Sequence, residues 1–357
     1  MRDLTKSKIA ATVIASSVLL SGCGLFGGEP AVEEIDPPQD VTYTNEDIDT
    51  TESGTAGSTE MGDEASVESV TRELYLVDKN GMVVPQTFQL PKSEGVAKQV
   101  LEYLVEGGPV TEMLPNGFRA VLPQDTQVTT NMDGDTVIVD FSKEFANYQP
   151  EDELRILQSI TYTLTQFDSI KNVKIRINGH DQDEMPVNGT PIGNGLNRSA
   201  GINLDNSEVV DITNTKPITL YFLAENQEGI YYVPVTKRID KSETDEDNIA
   251  VIVKELIEGP DYNSSLLSDF QTDAALLSAT YEDGKVTLDF NENIYGSFEE
   301  KMISKHVINS LVLSLTEQPG IESVAITVAG NPDVMTDEGE TLTEPVTRPE
   351  KVNTGSF

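Results

Sequence analysis

The chain has 357 residues, 24 of them basic and 61 acidic, for a net charge of −37, and its single cysteine is Cys23. At roughly 100 to 200 residues per domain this is enough for two or three domains, and with one cysteine no intramolecular disulfide can hold them, so they depend on packing. The acidic field repels phosphate backbones, which argues against nucleic acid as a partner, and acidity of this degree suits an exported protein kept soluble at high salt or high pH.

Residues 1–22 read as a signal peptide. Arg2, Lys6 and Lys8 precede an apolar run over 9–20, which is shorter than the roughly 20 residues a membrane-spanning helix needs. The run ends in Leu20-Ser21-Gly22-Cys23, a lipobox. Small side chains admit a peptidase to the bond between Gly22 and Cys23, and the Cys23 sulfur would then carry diacylglycerol, with acyl chains of the palmitate kind. Each buried methylene contributes about 0.8 kcal/mol, so two chains anchor firmly where one only lingers. Residues 23–70 follow as an acidic tether rich in Ser, Thr, Gly and Pro, with 13 acidic residues between positions 29 and 72 against Arg72 alone. Lacking apolar periodicity, the tether is expected to be disordered, with a reach of roughly 35 to 40 Å.

Beyond the tether the chain repeats itself. Leu74-Tyr75-Leu76 returns as Leu220-Tyr221-Phe222, Leu104-Val105-Glu106-Gly107 as Leu256-Ile257-Glu258-Gly259, and Asp140-Phe141 as Asp289-Phe290. The spacing of about 150 residues is that of a domain rather than a solenoid unit. The boundaries are a first domain at 71–206, a linker at 207–216, a second domain at 217–348 and a C-terminal tail at 349–357.

Each unit opens with a predicted strand, 72–77 or 218–223, and a second extended segment bearing Val84-Pro85 or Val233-Pro234. A helix comes next: Ser93 can cap it in the first unit, where Val96, Val100, Leu101 and Leu104 share a face, as do Ile249, Ile252, Val253 and Leu256 in the second. Asp133-Gly134 and Asp283-Gly284 signal hairpins. A longer helix, 152–166 or 299–316, leads to a last alternating strand near 173–177 or 324–328. The fold class is α+β: two tandem homologous domains, each a mixed β-sheet with two helices on one face. An extended arm closes each unit, able to cover its own sheet or to reach a neighbour.

No HExxH, Walker, GxSxG or CxxC pattern is present. His180 sits in a turn and His306 on a helix flank, neither with a twin in the other repeat, and both read as surface residues. Asp181, Asp183 and Glu184, like Asp245, Glu246 and Asp247, lack the alternation and closing glutamate of a calcium loop. Asp140 and Asp289 recur in both repeats, and a strand-end hydrogen bond accounts for them more simply than catalysis. No catalytic, cofactor or metal residue is assigned; the site residues are Cys23, for lipidation, and the Gly22–Cys23 cleavage point. The reading is non-enzymatic, with a solute- or calcium-binding surface lipoprotein as the alternative.

Leu101-Glu102-Tyr103-Leu104-Val105-Glu106-Gly107-Gly108-Pro109, the segment Leu114-Pro115-Asn116-Gly117-Phe118-Arg119, Val137-Ile138-Val139-Asp140-Phe141-Ser142, Leu315-Thr316-Glu317-Gln318-Pro319 and the closing Val352-Asn353-Thr354-Gly355-Ser356-Phe357 together resemble the GerM family of sporulation and germination lipoproteins. The likeness covers both repeats and the lipobox; the tether and the more acidic surface depart from it. It implies tandem GerMN domains akin to the ring-building motifs of secretion systems. It also implies a membrane-anchored protein in the space between mother cell and forespore, supporting the channel complex there through protein contacts, with a ring or homo-oligomer among the assemblies.

Overall fold

The computed structural model describes residues 68–205, 215–240, 245–296 and 301–353. Gly22, Cys23, the signal segment and the tether up to residue 67 lie outside the described residues.

The first repeat opens with an antiparallel hairpin, β1 (Ser69–Val77) and β2 (Val83–Pro91), in register from Ser69↔Pro91 to Val77↔Val83. Helix α1 (Val96–Glu102) comes next, and then a sheet ordered β3-β4-β5-β6, of strands Val128–Asp133, Thr136–Phe141, Asn172–Ile177 and His180–Asp181. Helix α2 (Glu153–Leu164) crosses between β4 and β5, which is why those two run parallel while the other pairs are antiparallel. Val137, Val139 and Phe141 alternate into the core, where Val100, Leu101 and Leu104 are fully buried. Each such side chain contributes about 1.5 to 3 kcal/mol on leaving water.

The second repeat runs the same course: β7 (Thr215–Asn226), β8 (Gly229–Asp240), α3 (Asp245–Glu258), β9 (Leu276–Glu282), β10 (Lys285–Phe290), β11 (Met302–Ile303), α4 (Lys305–Thr316), β12 (Ser323–Val328), β13 (Met335–Thr336) and β14 (Val346–Thr347). Its sheet is ordered β14-β12-β10-β9, with β10 and β12 parallel. Ile249, Ile252, Val253 and Leu256 of α3 are all buried. The mixed α+β architecture read from the sequence is therefore present twice.

Several local details differ from the sequence reading. The opening hairpin of each repeat stands apart from the four-stranded sheet. Its free edge is closed by side chains of the longer helix and the residue just past its end: Thr163 Oγ1 accepts from Tyr75 N at 3.0 Å, Gln166 Oε1 from Glu73 N at 3.0 Å, and Ser314 Oγ from Tyr221 N at 2.8 Å. These bonds satisfy backbone groups that burial would otherwise strand. Helix α1 begins after Gly95 rather than from a Ser93 cap, and the Ser93 hydroxyl accepts from Gly95 N at 3.2 Å ahead of the first helical residue. Helix α4 begins at Lys305, where Ser304 Oγ caps by accepting from His306 N at 3.1 Å. The second sheet hairpin turns on Asp283-Gly284, both with positive φ, whereas pairing of Asp133 with Thr136 makes Gly134-Asp135 the turn in the first.

The described residues belong to one compact unit. Strand β7 starts at Thr215, inside the expected linker, while residues 206–214 lie outside the described residues. The stretch expected to be a tail includes Val352, 1 % exposed, and Asn353, both engaged with the first repeat. The two repeats share packing as well: Val84 of β2 is fully buried in the core cluster of the second repeat, with Val233 and Val235.

Candidate functional site

Strands β2 and β8 approach each other at Pro85 and Pro234. Proline has no N–H to donate, so the two strands do not extend into a common ladder at that point. An asparagine side chain fills the gap instead, once from each arm. Asn203 accepts from Val83 N at 2.8 Å and donates from Nδ2 to Val83 O and Pro234 O, both at 2.7 Å. Asn353 accepts from Tyr232 N at 2.7 Å and donates from Nδ2 to Tyr232 O at 2.7 Å and Pro85 O at 2.9 Å. Both asparagines have positive φ, 46° and 54°, a conformation this residue type tolerates better than most.

The preceding residue of each arm bonds the other repeat. Ile202 N donates to Thr236 Oγ1 at 2.9 Å, and Val352 N donates to Thr87 Oγ1 at 2.9 Å. The arms therefore cover their own sheets first, through the bridge of Leu196 to Val173 and through β14 on β12, and then end on the other repeat. Arm one is also pinned by Glu153, which is fully buried and accepts from Tyr148 Oη at 2.7 Å, Asn188 N at 2.7 Å and Thr190 N at 2.9 Å. Burial works against its charge, but those hydrogen bonds outweigh it and hold the carboxyl below the usual range.

Five residues before each asparagine stands an arginine, Arg198 or Arg348. Both reach Glu317, at the C-terminal end of α4: Arg198 Nη1 lies 2.9 Å from Oε2 and Arg348 Nη2 lies 3.1 Å from Oε1. Each guanidinium also lies near a last-turn carbonyl of its own repeat's helix, Tyr162 O at 3.5 Å and Leu313 O at 3.4 Å, the end of the helix dipole that favours cations. Tyr221 Oη donates to Glu317 Oε1 at 2.9 Å. Burial disfavours the Glu317 charge, yet the two arginines outweigh it and keep its carboxyl below the usual range. The first repeat carries Gln166 at the corresponding position, and Gln166 bonds the backbone of Glu73 instead.

These groups form the floor of a cleft of about 950 Å³ between the repeats, flanked by Val70 to Glu73 on one side and Gln318 to Ile321 on the other. Arg72 joins Arg198 and Arg348 in its lining, so three of the chain's eight arginines converge there.

The residues singled out from sequence lie elsewhere. Asp140 Oδ1 accepts from Gly179 N at 2.9 Å and Asp289 Oδ1 from Gly330 N at 2.8 Å. These are the strand-end hydrogen bonds the sequence suggested. His180 is exposed; His306, expected on the surface, is half-buried, with Nδ1 2.9 Å from Tyr232 Oη. Asp181 is committed to Arg176 at 2.5 Å, and that cation lowers its pKa. The side chains of Asp245, Glu246 and Asp247 lie outside the described residues. Among the described residues no group of three or more His, Cys, Asp or Glu is placed to hold a metal ion. Sequence reasoning missed Arg198, Asn203, Glu317, Arg348 and Asn353 as a set, although the Arg-x4-Asn spacing recurs in both arms.

Comparison with known proteins gives a consistent result. The family model Germane, described as "Sporulation and spore germination", matches residues 73–183 and again 219–334. The chain is 56 % identical over 361 residues to the spore germination protein GerM of Bacillus subtilis (strain 168), covering 98 % of each chain. The solved tandem GerMN domains of the sporulation protein GerM from Bacillus subtilis are 57 % identical and superpose with a TM-score of 0.75, covering 81 % of this chain and all of that one.

Proposed function

The chain belongs to the Germane family of sporulation and spore germination proteins, and from that premise we propose that it is a non-enzymatic assembly factor. It is held by lipid at Cys23 on the outer face of the mother-cell membrane and acts in the space between mother cell and forespore. There it stabilises an envelope complex through protein contacts of its two GerMN repeats.

The observation that supports this reading is the reciprocal lock. Each arm ends on the other repeat, so the pair is one body, while β3 and β9 stand at the ends of their sheets with no further strand beside them among the described residues. Such edges are natural docking lines for another chain. Exposed Met132 on β3 and Leu277 on β9 are 44 % and 56 % accessible, which places apolar contact area on both.

Photo-crosslinking residues at Asn131 and Ser278 in sporulating cells test this. Capture of envelope proteins of the mother-cell/forespore junction supports the proposal. A Cys23→Ser variant, lacking the lipid, that crosslinks and sporulates like the original would refute the anchored assembly role.

A further inference from the structure

Asparagine followed by glycine is the dipeptide most open to intramolecular deamidation, because glycine puts no Cβ beside the attacking nitrogen and leaves the backbone free to turn. The chain has five such pairs, all in the first repeat: Asn80-Gly81, Asn116-Gly117, Asn178-Gly179, Asn188-Gly189 and Asn194-Gly195. All five asparagines are exposed, so access to water does not separate them. What separates them is the glycine N–H. Gly81 N donates to Asp78 O at 3.0 Å, Gly179 N to Asp140 Oδ1 at 2.9 Å, Gly189 N to Met185 O at 3.1 Å and Gly195 N to Ile192 O at 2.9 Å. In those four pairs the nitrogen that must lose its hydrogen and swing onto the neighbouring side chain is held in place. Gly117 N has no acceptor among the described residues. It occupies the third position of the turn from Pro115 to Phe118, with φ of 83°, and the turn's own bond runs from Phe118 N to Pro115 O at 3.0 Å.

At Asn116 the restraint falls on the side chain instead. Its Nδ2 donates to Glu228 Oε1 at 2.6 Å, and its carbonyl accepts from Asn226 Nδ2 at 3.2 Å, both at the tip of the β7–β8 hairpin of the second repeat. This is an exposed contact between the repeats, and exposed contacts at loop tips open readily.

We propose that Asn116 is a modification site, the first of the five to deamidate, and that the reaction severs this contact between the repeats. When the corner opens and frees the amide, Gly117 N gives its proton to solvent hydroxide and bonds to Asn116 Cγ. The Cγ–Nδ2 bond then breaks, and the nitrogen takes up a proton from water and leaves as ammonia. Water adds to either carbonyl of the succinimide ring and opens it to aspartate or isoaspartate. The net change is one water consumed and one ammonia released. The product presents a carboxylate to Glu228 where the amide presented a donor, and like charges so close repel. A corner that has opened and reacted therefore does not close again.

The full chain in detergent, held in mildly alkaline buffer and sampled over days, tests this by peptide mass mapping, which reads the mass gained at each asparagine when amide becomes acid. Asn116 is expected to convert several-fold faster than the other four. Glu228→Ala is expected to quicken Asn116 alone by about fivefold, the factor one net hydrogen bond supplies. In urea the five are expected to react alike, because the fold no longer holds any glycine N–H. Hydrogen exchange at the 226–229 turn is expected to quicken in the aged chain and in Asn116→Asp. Earlier conversion at any of the other four, one common rate in the folded chain, no conversion at Asn116, or an Asn116 lead that persists in urea overturns the site. Unchanged exchange at 226–229 in Asn116→Asp overturns the severed contact.

Discussion

Asn203 and Asn353 make the same three hydrogen bonds with the repeats exchanged: each holds the N–H and C=O of one strand residue in its own repeat and the proline carbonyl of the facing strand in the other. The relationship is an approximate two-fold built from one chain. It turns two similar domains into a single folding unit, since neither proline-bearing strand edge is satisfied alone.

Asn203→Ala or Asn353→Ala is therefore expected to strand several buried backbone groups and to lower stability by about 2 to 4 kcal/mol each. Urea unfolding with fluorescence and circular dichroism gives the values. A loss below 0.5 kcal/mol for either would show that the rungs are dispensable, the threshold being the scatter typical of surface substitutions, about ±0.5 kcal/mol.

Ending the chain after Glu350 removes Val352 and Asn353, and with them the bonds to Thr87 and Pro85 of β2. The expected result is destabilisation of the first repeat, more than 260 residues away in sequence (|i−j| = 265). Hydrogen exchange at Val83 to Thr87 is expected to quicken; unchanged protection there would place the C-terminal segment outside the fold.

Much of this architecture was legible from sequence. The apolar stripes of α1 and α3, the Asp-Gly hairpin signals and the strand-end roles of Asp140 and Asp289 are set by residues near one another in the chain, where periodicity and turn chemistry act directly. The lock was not legible in the same way. Asn203 and Arg198 choose partners more than 100 residues away, and no local pattern marks an asparagine that will stand in for a strand. Boundaries drawn from composition consequently put 349–357 in a tail, although Val352 is buried and Val352 and Asn353 bond to β2 and β8. The buried Glu153 escaped for a related reason: its partners at Asn188 and Thr190 sit on an arm that reads as polar loop.

Glu317→Gln gives the second repeat the residue type of its counterpart, Gln166, and is expected to release both arginines, lowering stability at neutral pH by about 1 to 3 kcal/mol given their partial exposure. The sign with pH follows from the lowered Glu317 pKa. Its stabilisation is fully present above the unfolded carboxyl value of about 4.3 and is lost as pH falls through the lower folded value. The gap between the original chain and the variant should thus hold from neutral pH to about 4.3 and close below it; a gap independent of pH would show that Glu317 is not held ionised by Arg198 and Arg348.

Asp140→Asn and Asp289→Asn keep an oxygen able to accept from Gly179 and Gly330. Each is expected to change stability by about 1 kcal/mol or less, with sporulation intact in the double variant. Normal folding with sporulation abolished would instead assign those carboxylates a chemical role.

The central claim is that the two repeats act as one body in assembling an envelope complex, and heat-resistant spore yield tests it most directly. The measurement is made in cells whose only copy carries Asn203→Ala with Asn353→Ala, expressed at normal level. The account expects yield to fall toward that of a deletion, while the Asp140→Asn with Asp289→Asn control stays at the original level. Full yield from the lock-broken chain, with its two repeats shown to unfold in separate transitions, would contradict it.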